Sequence, residues 1–189
     1  VGDDGHFRML EQVGATDVNG TTTQDRTNYY QTVPAEELPL ALWLESDRMA
    51  YLLDTLHQGK LDTPREVVKN ERRQSFEGAP YGMAYLELFR SVFPSGHPYH
   101  ELPIGRVDDL EAATLEDVKT FFRTYYVPSN ASLVIAGDFD PAVARALVEK
   151  AFGSIPSAPR PADVKVPPVM LAREVRSELT DPQAPLAQV

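Results

Sequence analysis

Apolar residues recur at helical spacing through most of the chain. The longest run is Leu40, Ala41, Leu44, Met49, Leu52, Leu53 and Leu56, which predicts a helix over Glu36 to Leu56, ended by Gly59. Trp43, the only tryptophan, is expected in the core. Phe7, Leu10 and Val13 predict a short helix over Gly5 to Val13. Tyr85, Leu86, Leu88, Phe89 and Val92 predict another from Tyr81 to Phe93, with the aromatics packing. Thr114-Leu115-Glu116-Asp117 reads as a capping box opening a helix over Leu115 to Tyr126. Asp140-Pro141 starts a last helix, with Val143, Leu147, Val148 and Phe152 on one face and Gly153 at its end.

Strand signals lie between these helices. The segments Ala15 to Thr23 and Thr27 to Pro34 are rich in threonine and tyrosine, and Gln24-Asp25-Arg26 makes a plausible turn, so a hairpin is predicted. Asn19-Gly20 taken alone signals a tight turn. Ser132 to Ala136 reads as a buried strand, Glu174 to Leu179 alternates like a strand, and Pro185 to Val189 reads as another. Ser154 to Pro168 holds five prolines and reads as a linker. The fold class predicted is α+β, an antiparallel-rich sheet with helices packed on one face.

The stretch with the most chemical content begins at Thr63. Thr63 can cap a helix, Pro64 suits the first position and Glu66 completes a capping box. Glu71 then falls on the same side as Val67, on an apolar stripe. A carboxylate buried there must be ion-paired, hydrogen-bonded or bound to a metal. Arg72, Arg73 or another arginine could supply the pair, and a metal is the alternative. His97 and His100 stand three apart in a proline-broken loop, a poor ligand set, and are expected to make loop-fixing hydrogen bonds.

Composition narrows the partners. The 189 residues suit one domain, or one and part of another, and 42% apolar content can supply a core. A net charge of −10 argues against nucleic acid and anionic membrane. There is no cysteine, which excludes disulfides and Cys-type zinc sites. No apolar run is long enough to span a membrane.

Arg65-Glu66-Val67-Val68-Lys69-Asn70-Glu71-Arg72-Arg73-Gln74, followed by Pro80-Tyr81-Gly82, resembles the M16 (pitrilysin, or inverzincin) metallopeptidases. Further agreement comes from Phe93-Pro94, His97-Pro98-Tyr99, Ile104-Gly105, Phe121-Phe122, Tyr125-Tyr126-Val127-Pro128, Asn130-Ala131 and Gly137-Asp138-Phe139. The resemblance runs from about Val1 to Pro156 and continues weakly to Val189. It implies that Glu71 is the third protein ligand of a catalytic Zn2+. It places Asn19, Gly20, Thr21 and Thr22 on an edge strand that binds extended substrate, by backbone pairing largely indifferent to sequence. The tight turn at Asn19-Gly20 stays open beside that reading. Some members carry a second glutamate seven residues before the ligand, where this chain has Pro64.

The His-x-x-Glu-His motif that supplies the other two ligands and the general base is absent here. Family spacing puts its second histidine roughly 75–80 residues before Glu71. The motif is therefore expected just upstream of Val1, in a longer protein. By itself this chain is expected to be inactive. Residues 1–156 are read as an M16-like peptidase domain lacking its zinc-binding helix, 157–168 as linker and 169–189 as the start of the next M16-like domain. The implied function is zinc-dependent endopeptidase cleavage of peptides or small proteins. The expected partners are a peptide or unfolded-protein substrate and a second M16-like domain or subunit. A non-catalytic M16-like subunit that binds peptide or scaffolds a peptidase is the alternative. Bacterial periplasm or cell envelope is favoured over cytoplasm.

Overall fold

The computed structural model describes residues 5–166 and 168–187. In chain order the elements are α1 (Gly5–Gln12), β1 (Thr16–Thr22), β2 (Thr27–Thr32), α2 (Leu38–Thr55), α3 (Gly59–Arg72), α4 (Gly82–Val92), α5 (Val107–Ala112), α6 (Leu115–Tyr125) and α7 (Pro141–Phe152). The structure is helix-rich, with one antiparallel two-stranded sheet formed by β1 and β2. Contacts divide it into two units.

The first unit gathers residues 5–21, 27–57 and 114–162. Its helices follow the predicted periodicity. Leu10 of α1, Ala41, Leu42 and Leu44 of α2, and Ala144 of α7 are buried, and α2 packs on α7. Asp140 caps α7 by accepting from the N–H groups of Ala142 (2.7 Å) and Val143 (3.2 Å). Trp43 is not in the core. It is 46% exposed, because α2 turns Ala41, Leu42 and Leu44 inward and leaves the indole in a shallow cleft beside Leu147 and Lys150 of α7.

The capping box of α6 forms as predicted. Asp117 accepts from the Thr114 backbone N–H (2.8 Å), and the Asp117 N–H donates to the Thr114 hydroxyl (3.2 Å). The bonds from the Thr114 side chain and backbone hold the Asp117 carboxyl below its ordinary pKa. A carboxyl depressed in the folded state stabilises above its unfolded pKa, and this contribution is lost as pH falls through the folded value. Asp117→Asn is therefore expected to lower Tm at neutral pH, with the gap to wild type closing as the solution is acidified below the usual Asp range. Thermal melts across pH check this; a gap that persists unchanged in acid contradicts it.

The second unit gathers residues 22–26, 58–113 and the described residues from 163 onward. Leu86 of α4 and Leu102 are its buried apolar side chains. Here α3 starts one turn earlier than predicted: Gly59 opens it rather than ending α2, and Thr63 is not its cap. The reason is local. The N–H groups of Leu61 (2.9 Å) and Asp62 (3.0 Å) already bond to the Gln58 carbonyl, and the Gln58 amide donates to Asp62 Oδ1 at 2.9 Å. Pro64 therefore stands inside the helix, where it has no N–H for the carbonyl four residues back.

Two predicted strands do not form. Ser132 to Ala136 is unpaired, with Leu133 47% and Val134 85% exposed. Glu174 to Leu179 is irregular and exposed. An apolar alternating run becomes a strand only where another edge offers partners, and among the described residues β1 and β2 pair only with each other. Residues 185–187 are likewise irregular, and the rest of the predicted strand Pro185 to Val189 lies outside the described residues. The five-proline stretch has no regular structure where it is described.

Candidate functional site

Glu71 lies in the last turn of α3 and is exposed. The stripe it shares with Val67 is open rather than buried, since Val67 is 59% exposed. The opposite side of the helix does the packing. Arg65 donates to the Ala113 carbonyl (2.6 Å) and to Asp62 (2.8 Å). Lys69 bridges Glu111 (2.8 Å) and Glu66 (3.1 Å), bonds that raise its pKa. Arg72 is buried, donating to the Gly105 carbonyl at 2.8 Å with its Nε 3.3 Å from Glu77. Arg73 donates to the Asn70 side chain at 2.8 Å. The ion pairs expected between Glu71 and Arg72 or Arg73 are thus not made. Among the described residues no hydrogen bond or ion pair engages the Glu71 carboxylate.

The backbone beyond Glu71 is tightly specified. Arg73–Glu77 widens into a π-helical turn closed by the Gly78 N–H on the Arg73 carbonyl (2.7 Å). Gly82 then approaches so closely that a Cβ there would sit 2.3 Å from the Phe76 carbonyl oxygen. Tyr81 adopts a left-handed φ of 64°, with its N–H given to Asp181 (2.8 Å). In the loop after α4, His97 Nδ1 accepts from the Tyr99 N–H (3.0 Å) and His100 Nδ1 lies 2.7 Å from the Phe93 carbonyl. Both histidines fix the loop, as expected. No group of three His, Asp or Glu side chains able to hold a metal occurs among the described residues. Glu71 has the chemistry of one ligand, a free carboxylate, and needs others to hold zinc.

Asn19 and Gly20 lie inside β1, so they are not a turn. The turn is at residues 23–26, where the Thr23 N–H donates to the Arg26 carbonyl (2.8 Å). That bond sets the register. With a two-residue alternation, residues 21 and 19 turn their backbone groups toward β2, while 22, 20 and 18 turn theirs outward. The side chains of Thr21 and Asn28 meet across the pair. The outward Gly20 N–H is covered by the Asn19 side-chain oxygen at 2.8 Å. No third strand pairs with β1 among the described residues. The inner face of the hairpin borders a cleft of about 330 Å³ lined by Val18, Gly20, Tyr29, Arg48, Tyr51 and Leu52, among others. The sequence reading gave no role to Tyr29, Arg48 or Tyr126. The only trace of one is that Tyr29 falls opposite a glycine once the register is known.

A helical framework with one two-stranded antiparallel sheet is an α+β fold. The profile of the family described as "Peptidase M16 inactive domain" matches residues 112–189. Zinc protease PqqE of Helicobacter pylori is 34% identical over 137 residues, covering 72% of this chain and 30% of PqqE. The crystal structure of a protease from Helicobacter pylori superposes with a TM-score of 0.75 at 31% identity, covering 87% of this chain and 38% of that one. The periplasmic protease PqqL from Escherichia coli shares the fold, with a TM-score of 0.74 at 21% identity over 86% of this chain and 18% of PqqL. The chain belongs to the M16 peptidase family. It spans about a third of the length of PqqE.

Proposed function

We propose that the full-length protein is a zinc-dependent endopeptidase acting on peptides or small proteins, to which this chain contributes Glu71 as one metal ligand and β1 as a peptide-holding edge. The observation that carries this reading is the exposed, unengaged Glu71 carboxylate within Asn70-Glu71-Arg72-Arg73, in a chain of this family. The cations beside it are committed to other partners, so the carboxylate keeps its charge available for a metal. Two histidines and a general-base glutamate would come from a His-x-x-Glu-His motif outside this chain. When bound, zinc supplies a water of near-neutral pKa and polarises a carbonyl. The chain's own part is to hold peptide extended along β1, by backbone pairing that does not read side chains.

The domain division at 156 and 168, a second M16-like domain as partner and a periplasmic location belong to the same proposal. The periplasmic PqqL of Escherichia coli supports the location, and no helix among the described residues is long and apolar enough to cross a membrane. The match to a family described as an inactive domain favours a second reading, a non-catalytic subunit that binds peptide or scaffolds a peptidase.

Chelation separates the two. The full-length protein is expected to hydrolyse unstructured peptides, to lose that activity in a chelator, and to regain it with one equivalent of Zn2+. The 189-residue chain serves as control, with no activity and no tight zinc. Zinc-independent hydrolysis would sink the proposal, and a metal-free, inactive full-length protein that still binds peptide would establish the subunit.

A further inference from the structure

We propose that Tyr29 is the positioning residue of the β1 edge, the side chain that fixes where the outward backbone of Gly20 and its neighbours is presented to peptide. This rests on the peptide-edge reading above.

The register places Gly20 directly opposite Tyr29 in a non-hydrogen-bonded pair, the kind in which strands approach most closely. The ring lies on the Gly20 backbone. A Cβ at Gly20 would stand 3.1 Å from Tyr29 Cδ1 and 3.4 Å from Cε1. The ring is itself held from two further sides. The Arg48 guanidinium of α2 sits 3.9 Å from its centroid. That guanidinium is oriented by Glu45 (2.7 Å) and by His6 Nε2 (3.3 Å). The Tyr29 hydroxyl meets the Tyr126 hydroxyl of α6 at 2.8 Å, and Tyr126 packs on Phe122 with centroids 4.3 Å apart. Burial and the Tyr126 bond push the Tyr29 phenol upward, so it stays neutral and keeps its hydroxyl proton at any working pH.

An isolated two-stranded hairpin is marginal in water. No third strand steadies β1 from outside among the described residues. The Tyr29 ring, 43% exposed, ties the strand opposite Gly20 to Arg48 of α2 and Tyr126 of α6. Peptide pairing through several backbone bonds needs those groups in line before binding, so a loosened hairpin weakens binding of every peptide rather than slowing the chemical step.

The test uses the full-length protein. Tyr29→Ala is expected to raise KM roughly tenfold for unrelated peptides, with kcat within about twofold of wild type. Zinc content should be unchanged. In the metal-free protein, amide exchange of residues 18–22 should quicken about tenfold. Tyr29→Phe keeps the ring and loses only the hydroxyl bond, so its KM should rise no more than about threefold. If Tyr29→Ala does not fold, Tyr126→Phe carries the test, with a KM rise of about threefold and faster exchange at the same amides. Wild-type KM and exchange in the folded variant, or a lower kcat at unchanged KM, overturns the inference. Thr22→Pro tells its failure from that of the underlying reading. If Thr22→Pro is damaging while Tyr29→Ala is silent, only the positioning role is lost. If both are silent, β1 is not the peptide edge.

Discussion

Glu71→Gln in the full-length protein is expected to remove peptide hydrolysis, lowering kcat/KM by more than ~100-fold, beyond what loss of an outer-shell partner costs. The amide keeps the size of the side chain and loses the charge that binds a metal. Zinc content should fall with activity, because a catalytic site held by three protein ligands does not tolerate losing one. The fold should not change. Glu71 is exposed and makes no hydrogen bond or ion pair among the described residues. Circular dichroism and Tm close to wild type, together with lost zinc, are the expected signature. The architecture of α3 sharpens the test. Arg65, Lys69 and Arg72 make its tertiary hydrogen bonds and ion pairs from the other side, and Glu71→Gln leaves them in place. Wild-type turnover and zinc content in the variant would remove Glu71 from the metal site altogether.

Thr22→Pro is expected to lower kcat/KM about tenfold for peptides of unrelated sequence, with the hairpin still formed. One backbone hydrogen bond nets ~1 kcal/mol, about a fivefold effect, and misalignment of the neighbouring bonds brings the loss to about tenfold. The register explains why the hairpin survives. The Thr23 N–H is committed to Arg26, so by alternation the Thr22 N–H is not part of the β1–β2 ladder, and proline is tolerated in a strand at such a position. Thr21→Pro makes the contrast, because the inward N–H belongs to the β1–β2 ladder and its loss should disrupt the hairpin. Thr22→Ser should stay within about twofold of wild type, since it changes the side chain and leaves the backbone. A folded, zinc-loaded Thr22→Pro protein with wild-type kcat/KM would place peptide binding elsewhere. Because both proline variants sit in the same strand, the difference between them reads the outward edge and not general damage.

Helix existence was legible in the residues because it rests on local rules. Leu40 to Leu56, Thr114 to Asp117 and Asp140 to Gly153 each carry their own periodicity or caps, and α2, α6 and α7 form where those signals lie. The hairpin and its turn at Gln24-Asp25-Arg26 were legible for the same reason. Boundaries were less so. Thr63-Pro64 looked like a helix start, but bonds to the Gln58 carbonyl close the turn earlier and leave Pro64 inside the helix. The identity of Glu71 as a candidate was also legible, through the wording of residues 65–74.

Tertiary structure decided what each residue faces. Periodicity put Glu71 and Val67 on one side of a helix and could not say that α5 and the 103–106 loop would cover the other side, through Lys69 and Arg72. The same limit hid Trp43, whose helix buries Ala41, Leu42 and Leu44 instead. Ser132 to Ala136 and Glu174 to Leu179 have strand composition, yet a strand exists only by pairing, and neither finds an edge among the described residues. Asn19-Gly20 is the converse. Its local preference is a turn, and the ladder to β2 overrides it, because the Thr23–Arg26 bond fixes the register and Tyr29 lies against the glycine. Local chemistry chose the elements, and long-range contacts, which no window of sequence contains, chose their faces, their partners and the edge left open.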